Sequence, residues 1–183
     1  MQEYSSPATF EIPATAALPD AVTRNAAEHP DRVALSRHVG DTWVPVTSRE
    51  FEQQVTALAR GMVAAGVGPG DRVGILSKTR YEWTLADYAI WAAGGVGVPI
   101  YETSSAEQAQ WILSDSGAVA VVVETAVHQA LVESVRADVP GLREVWARFP
   151  KFVLGFLIAS VVVSLLLGFW PEGTALGDQV TAG

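Results

Sequence analysis

Apolar and polar residues change period repeatedly along this chain of 183 residues, and each change marks an element. Leu18, Val22 and Ala26 recur at every fourth position, which predicts a helix of about ten residues from Asp20. His29 and Pro30 end it, because the residue before a proline is pushed out of the α region. Val33–Ser36 and Trp43–Thr47 are short β-prone runs around Gly40 and Asp41, the pattern of a hairpin. Thr47 and Glu50 stand at capping-box spacing, in which the hydroxyl accepts from a first-turn amide while the carboxylate reaches back. Phe51, Val55, Leu58, Met62 and Val63 follow as one apolar helix face, and Gly66 supplies the left-handed stop.

After a turn at residues 68–71 the period alternates. Val73–Ser77 reads as an apolar strand. Tyr81–Ala93 reads as a helix whose Trp83, Ala86, Asp87, Ile90 and Trp91 make no clean two-face pattern, so it is expected to be buried on most sides. Gly94 and Gly95 stop it before a strand at Val96–Tyr101. Ser104 and Glu107 form a second capping-box pair, opening a helix to about Asp115 that Gly117 ends. Val119–Val123 is a continuous apolar run, as in a strand covered on both faces. Thr125–Asp138 is helical in pattern, with Val127, Leu131 and Val135 four apart, and Pro140 and Gly141 break it. Residues 1–17 read as an extended lead-in with a short edge strand at Thr9–Ile12. Strands alternating with helices predict an α/β fold with a partial doubly wound, mostly parallel sheet. Three such units cannot close a sheet, so residues 18–146 read as part of a larger domain.

The period disappears at Phe152–Trp170, nineteen uncharged residues in which Ser160 and Ser164 alone are polar. As a helix this run would reach roughly 28 Å, close to the hydrocarbon thickness of a bilayer. It is apolar all round, more than one buried face of a soluble helix requires, and it has no polar face to lie on a membrane surface. A single transmembrane helix with Phe152 and Trp170 as its ends is the expectation for residues 147–183, with membrane lipid as partner. Arg143, Arg148 and Lys151 precede the run and no Lys or Arg follows it. This places the preceding domain on the cytoplasmic side of the cell membrane and the short polar tail outside.

Charge sharpens the division. Residues 1–146 carry 10 Lys and Arg against 18 Asp and Glu, while residues 147–183 are balanced. An acidic domain of this kind neutralises no phosphates, which argues against nucleic acid as partner. The absence of cysteine excludes disulfides and thiolate chemistry. The first twenty residues lack the basic and apolar regions of a signal peptide.

Few residues carry candidate chemistry. The glycines of residues 66–70 lack the lysine of a phosphate loop and precede a strand instead of following one. Gly94, Gly95 and Gly97 lie between helix and strand, the wrong polarity for a dinucleotide fingerprint, and both glycine groups read as turns. His29, His38 and His128 are scattered, and no cluster has metal-ligand spacing. Lys78 and Arg80 follow the carboxyl end of a strand, the ligand edge of an open α/β sheet; a solvated charge is the plain alternative to a contact with an anionic substrate. Trp83, Trp91 and Trp111 are expected in the core. No residue is assigned a catalytic, cofactor-binding or metal-binding role.

The segments Gly70–Ser77, Tyr81–Trp83, Gly94–Tyr101 and Ser104–Gly117, with His29–Ala34 before them, together resemble the N-terminal part of adenylate-forming acyl-CoA synthetases, closest in type to bacterial long-chain fatty acid–CoA ligases. The resemblance covers about residues 18–146 and implies the N-terminal subdomain of an AMP-binding enzyme. That family uses ATP and Mg²⁺ to make an acyl-adenylate from a fatty acid, then passes the acyl group to CoA. Its Ser/Thr/Gly-rich phosphate loop, magnesium-binding Glu, ribose-holding Asp and lid Lys belong to later segments, and none is present among these 183 residues. The resemblance therefore implies a truncated relative that is inactive alone. Residues 147–183 resemble instead one segment of the sulfate exporter family of polytopic bacterial membrane proteins, which makes the chain a composite with a junction near Trp146–Arg148. A transporter fragment fused to an unrelated domain, or a membrane-tethered binding module without catalysis, are the alternatives.

Overall fold

The computed structural model describes residues 6, 11 and 13–147. The expected edge strand at residues 9–12, the run Phe152–Trp170, and Arg148 and Lys151 lie outside the described residues, apart from Glu11. Helix α1 (Asp20–Glu28) ends at His29, whose backbone has left the helical region ahead of Pro30. Strands β1 (Val33–Val39) and β2 (Thr42–Thr47) pair antiparallel across Gly40 and Asp41, with Gly40 at φ +58°. Thr47 then caps α2 (Ser48–Ala64): its hydroxyl accepts from the Glu50 amide at 3.3 Å, and the Glu50 carboxylate accepts from the Thr47 amide at 2.8 Å. Those bonds from the Thr47 amide and hydroxyl hold the Glu50 carboxyl below the usual range.

Strands β3 (Arg72–Leu76), β4 (Val96–Ile100), β5 (Ala120–Val123) and β6 (Glu144–Ala147) form one parallel sheet in the order β4-β3-β5-β6. Helices α3 (Tyr81–Ala92), α4 (Ala106–Ser116) and α5 (Ala126–Val135) make the crossovers, and a short 3₁₀ turn at Arg136–Asp138 follows α5. The periodicity of two sorts the strands into two cores. Val73 and Ile75 of β3 join Ala120 and Val122 of β5 under α1, α2 and α3. Leu76, Val121 and Val123 face the other way, under α4 and α5. Gly74 leaves no space on that second face: a Cβ there would lie 3.0 Å from both Leu113 Cδ2 and Val121 Cγ2. A doubly wound parallel sheet is thus present, as expected from the alternation.

Several local expectations are corrected. The second capping box is formed by Ser105 and Gln108, one residue beyond Ser104 and Glu107; the two overlapping pairs carry the same signature. Trp111, expected in the core, is 63% exposed. It shares α4 with Leu113 and Ala109, and those two occupy the buried side. Trp83 and Trp91 are half-buried. Val127 is also exposed, and the buried residue of α5 is Val132. Strand β6 has no counterpart in the pattern analysis, because four residues, one of them Glu144, give too short an alternation.

Among the described residues no helix is long and apolar enough to cross a membrane.

Candidate functional site

The strand order locates the crevice of the sheet. From β3 the chain crosses to β4 on one side, and from β5 it crosses to β6 on the other. The carboxyl ends of β3 and β5 therefore flank the point where connections diverge, which is where open α/β sheets bind ligands. Two loops meet there: residues 77–80 after β3, and Glu124 after β5.

Glu124 ties the loops together. Its carboxylate accepts from the Lys78 amide at 2.9 Å, from the Ser77 hydroxyl at 3.4 Å and from the Arg80 guanidinium at 3.1 Å. Burial alone would raise its pKa; these bonds outweigh burial and hold the carboxyl below the usual range. Arg80 also pairs with Glu82, and that hydrogen bond above all raises its own pKa. Arg80 thus serves as an ion-paired clasp between the two loops. The Lys78 ammonium, by contrast, is exposed at the crevice without an ion pair among the described residues.

The hairpin overhangs this crevice. Ser36, Arg37, His38 and Trp43 close a cavity of about 390 Å³ against Lys78, Arg80, Glu82 and Glu124. The Arg37 guanidinium lies 5.6 Å from the centroid of the Tyr81 ring. Tyr81 donates to Gln54 Oε1 at 3.1 Å, and burial pushes its hydroxyl up to about 12, so it stays protonated at neutral pH. Arg37 Nε is buried and without a hydrogen-bond partner. His38 stands edge-on to Trp43 at 4.9 Å. On the other side of the same sheet edge, Tyr101 and Trp111 border a cavity of about 520 Å³ with Thr103, Glu107 and Gln108.

The remaining sequence candidates are dispersed. The glycines of residues 66–70, with Gly94 and Gly95, form turns at the amino-terminal edge of the sheet, the far side from the crevice, and Gly97 lies within β4. His29 follows α1, His38 lies on β1, and His128 is half-buried on α5 with Nδ1 unpartnered. Arg143 is held at the amino-terminal edge, donating to the Gly66 carbonyl and pairing with Asp71 at 3.3 Å. Sequence reasoning passed over Glu124, a lone carboxylate between an apolar run and a threonine; only the strand order brings it to residues 77–80. Asp87, placed by the sequence in a helix buried on most sides but given no role there, is buried against Gly97, and burial pushes its carboxyl up.

Among the described residues no three His, Cys, Asp or Glu side chains converge on one point, and no glycine loop follows a strand into a helix.

A family model described as AMP-binding enzyme matches residues 22–151. The long-chain-fatty-acid–CoA ligase FadD15 of Mycobacterium bovis is 45% identical over 145 residues, which are 79% of this chain and 24% of that protein. The uncharacterized protein Rv1549 of Mycobacterium tuberculosis is 32% identical over 130 residues, 71% of this chain and 70% of that protein. A solved structure named as a long-chain-fatty-acid CoA ligase of Rhodopseudomonas palustris superposes with a TM-score of 0.64 at 30% identity, covering 72% of this chain and 32% of that one. The chain spans about a quarter of the length of the curated ligase.

Proposed function

The chain belongs to the AMP-binding enzyme family, and from that premise we propose that residues 22–151 are the opening portion of a long-chain fatty acid–CoA ligase, serving as scaffold without adenylating activity of its own. The observation that carries this reading is the 45% identity to a ligase of which the matched segment is only 24%. In the complete enzyme ATP, Mg²⁺ and CoA would be bound and the fatty acid activated as an acyl-adenylate. The residues present here would contribute the sheet, its cores and the Arg80–Glu124 clasp that fixes two loops at the carboxyl edge. Lys78 is the side chain best placed to meet an anionic group at that edge. ATP–pyrophosphate exchange with a long-chain fatty acid is the test. The 183-residue chain alone gives no exchange above a protein-free control, and exchange above it would overturn the proposal.

A second proposal concerns Phe152–Trp170, on the strength of nineteen consecutive uncharged residues with basic residues on one side only. We read this run as a single membrane span with the ligase-like portion on the cytoplasmic side. Alkaline carbonate extraction leaves such a chain in the membrane pellet; release into the supernatant would rule the span out.

A further inference from the structure

Resting on the membrane-span reading above, we infer that the carboxyl-terminal edge of the parallel sheet is a membrane-facing surface, whose exposed aromatic side chains sit at the headgroup level of a bilayer. Three Trp and Tyr side chains among the described residues are exposed, Trp43 at 66%, Trp111 at 63% and Tyr101 at 82%. All three stand at this one edge. Trp43 borders the crevice with Lys78 and Arg80, beyond the end of β3. Tyr101 follows the last residue of β4, and Trp111 borders the same cavity from α4. Val127, 75% exposed, joins them from the first turn of α5, just beyond the end of β5. The amino-terminal edge presents Val63 and Val96, which are exposed but aliphatic. Exposed apolar residues scattered singly are ordinary, whereas aromatic rings gathered at one edge mark a surface with a partner.

The partner follows from where the described chain ends. Strand β6 runs parallel to its neighbours, so Ala147 leaves the sheet at the same carboxyl-terminal edge. Five residue steps separate Ala147 from Phe152. At full extension they reach about 18 Å. A span beginning at Phe152 therefore keeps this edge beside the bilayer and turns the amino-terminal edge away from it. Trp and Tyr suit that position, because each ring has an apolar body and a polar N–H or O–H, and both residues concentrate at membrane–water interfaces. Lys78 and Arg80 stand beside Glu82 and Glu124 at this edge, and the net charge of the chain is −8. The attraction is therefore that of rings for the interface rather than of basic residues for anionic lipid, and zwitterionic headgroups fit it.

The test reconstitutes the full 183-residue chain in phosphatidylcholine vesicles. The chain contains no cysteine, so Val127→Cys and Val63→Cys each carry a single spin label, one at either edge of the sheet. Collisions with oxygen, which concentrates in lipid, and with a water-soluble nickel chelate read the surroundings of each label. The ratio of oxygen to nickel collisions is expected to be higher at position 127 than at position 63 by about threefold or more. Trp43→Ser with Trp111→Ser, added to Val127→Cys, is expected to lower that ratio by about twofold or more. A smaller difference between the two positions overturns the inference, and so does a ratio at position 127 that the two serines leave unchanged. The Val127→Cys chain keeps all three aromatic residues, so the first comparison stands whether or not the serine variant folds. Carbonate extraction of the same vesicles separates this inference from the reading it rests on. A chain that stays in the pellet with similar ratios at both positions overturns the membrane-facing edge and leaves the span, whereas a chain released into the supernatant overturns both.

Discussion

The two faces of the parallel sheet are covered very differently. Under α1, α2 and α3 the core is built from Phe51, Leu58, Met62, Leu85 and Ile90, with edge-on ring contacts from Phe51 to Tyr88 at 5.6 Å and from Tyr88 to Trp91 at 5.1 Å. Under α4 and α5 the core is aliphatic, centred on Leu113, Val121, Val123 and Val132, and the large side chains Trp111 and Val127 stay outside it. The first face also reaches beyond the sheet to hold the hairpin through Val46 and Leu35. Burial of apolar area scales with what each helix presents. The aromatic face thus ties three layers of chain together, whereas the aliphatic face closes only its own two crossovers.

Substitutions on the two sides can break that contrast. Phe51→Ala removes an aromatic side chain shared by α2 and α3 and is expected to cost about 4 kcal/mol; Leu113→Ala opens a smaller aliphatic cavity and costs about 3 kcal/mol. Urea unfolding measures both, and Phe51→Ala should in addition release the hairpin, seen as faster amide exchange in β1 and β2. Equal protection of the hairpin in both variants would remove the distinction between the faces.

Glu124→Gln comes next, at about 1 kcal/mol, since it weakens a charge-assisted junction between the loops. Its sign with pH follows from the depressed native pKa. The stability that the carboxylate contributes is present above the unfolded-state value near ~4.3 and is lost as pH falls through the lower folded value, so wild type and variant converge in acid. A gap between them that widens on acidification would contradict the clasp. The smallest effect belongs to α4: Ser105→Ala costs about 1 kcal/mol or less and Ser104→Ala nearly nothing, as thermal melts would read.

Much of this architecture is legible from periodicity. The apolar stripe of α2 with its capping box and the β-branched run of β5 each carry a strong local signal, and each lies where its pattern places it. Other features depend on contacts that sequence spacing does not encode. Ser104 and Ser105 offer overlapping capping boxes, and the choice between them is made by where α4 must start to bury Ala109 and Leu113. Trp111 is large and apolar, yet its position on α4 turns it away from the sheet. Lys78 and Arg80 could be placed at the ligand edge from their position after an apolar run. Glu124 could not be joined to them, because that junction follows from β5 pairing beside β3 across an intervening strand.

The insertion of β5 next to β3 also has a consequence in time. Leu76 ends β3 and Ala120 begins β5, so 44 positions separate the central strand from its second neighbour. Ribosomes add roughly 5–20 residues per second, so β3 waits on the order of 2–9 s with one edge bare while β4 and α4 are still being made. Throughout that interval Val73, Ile75 and Leu76 are accessible to any chaperone or neighbouring nascent chain that recognises an unpaired apolar strand.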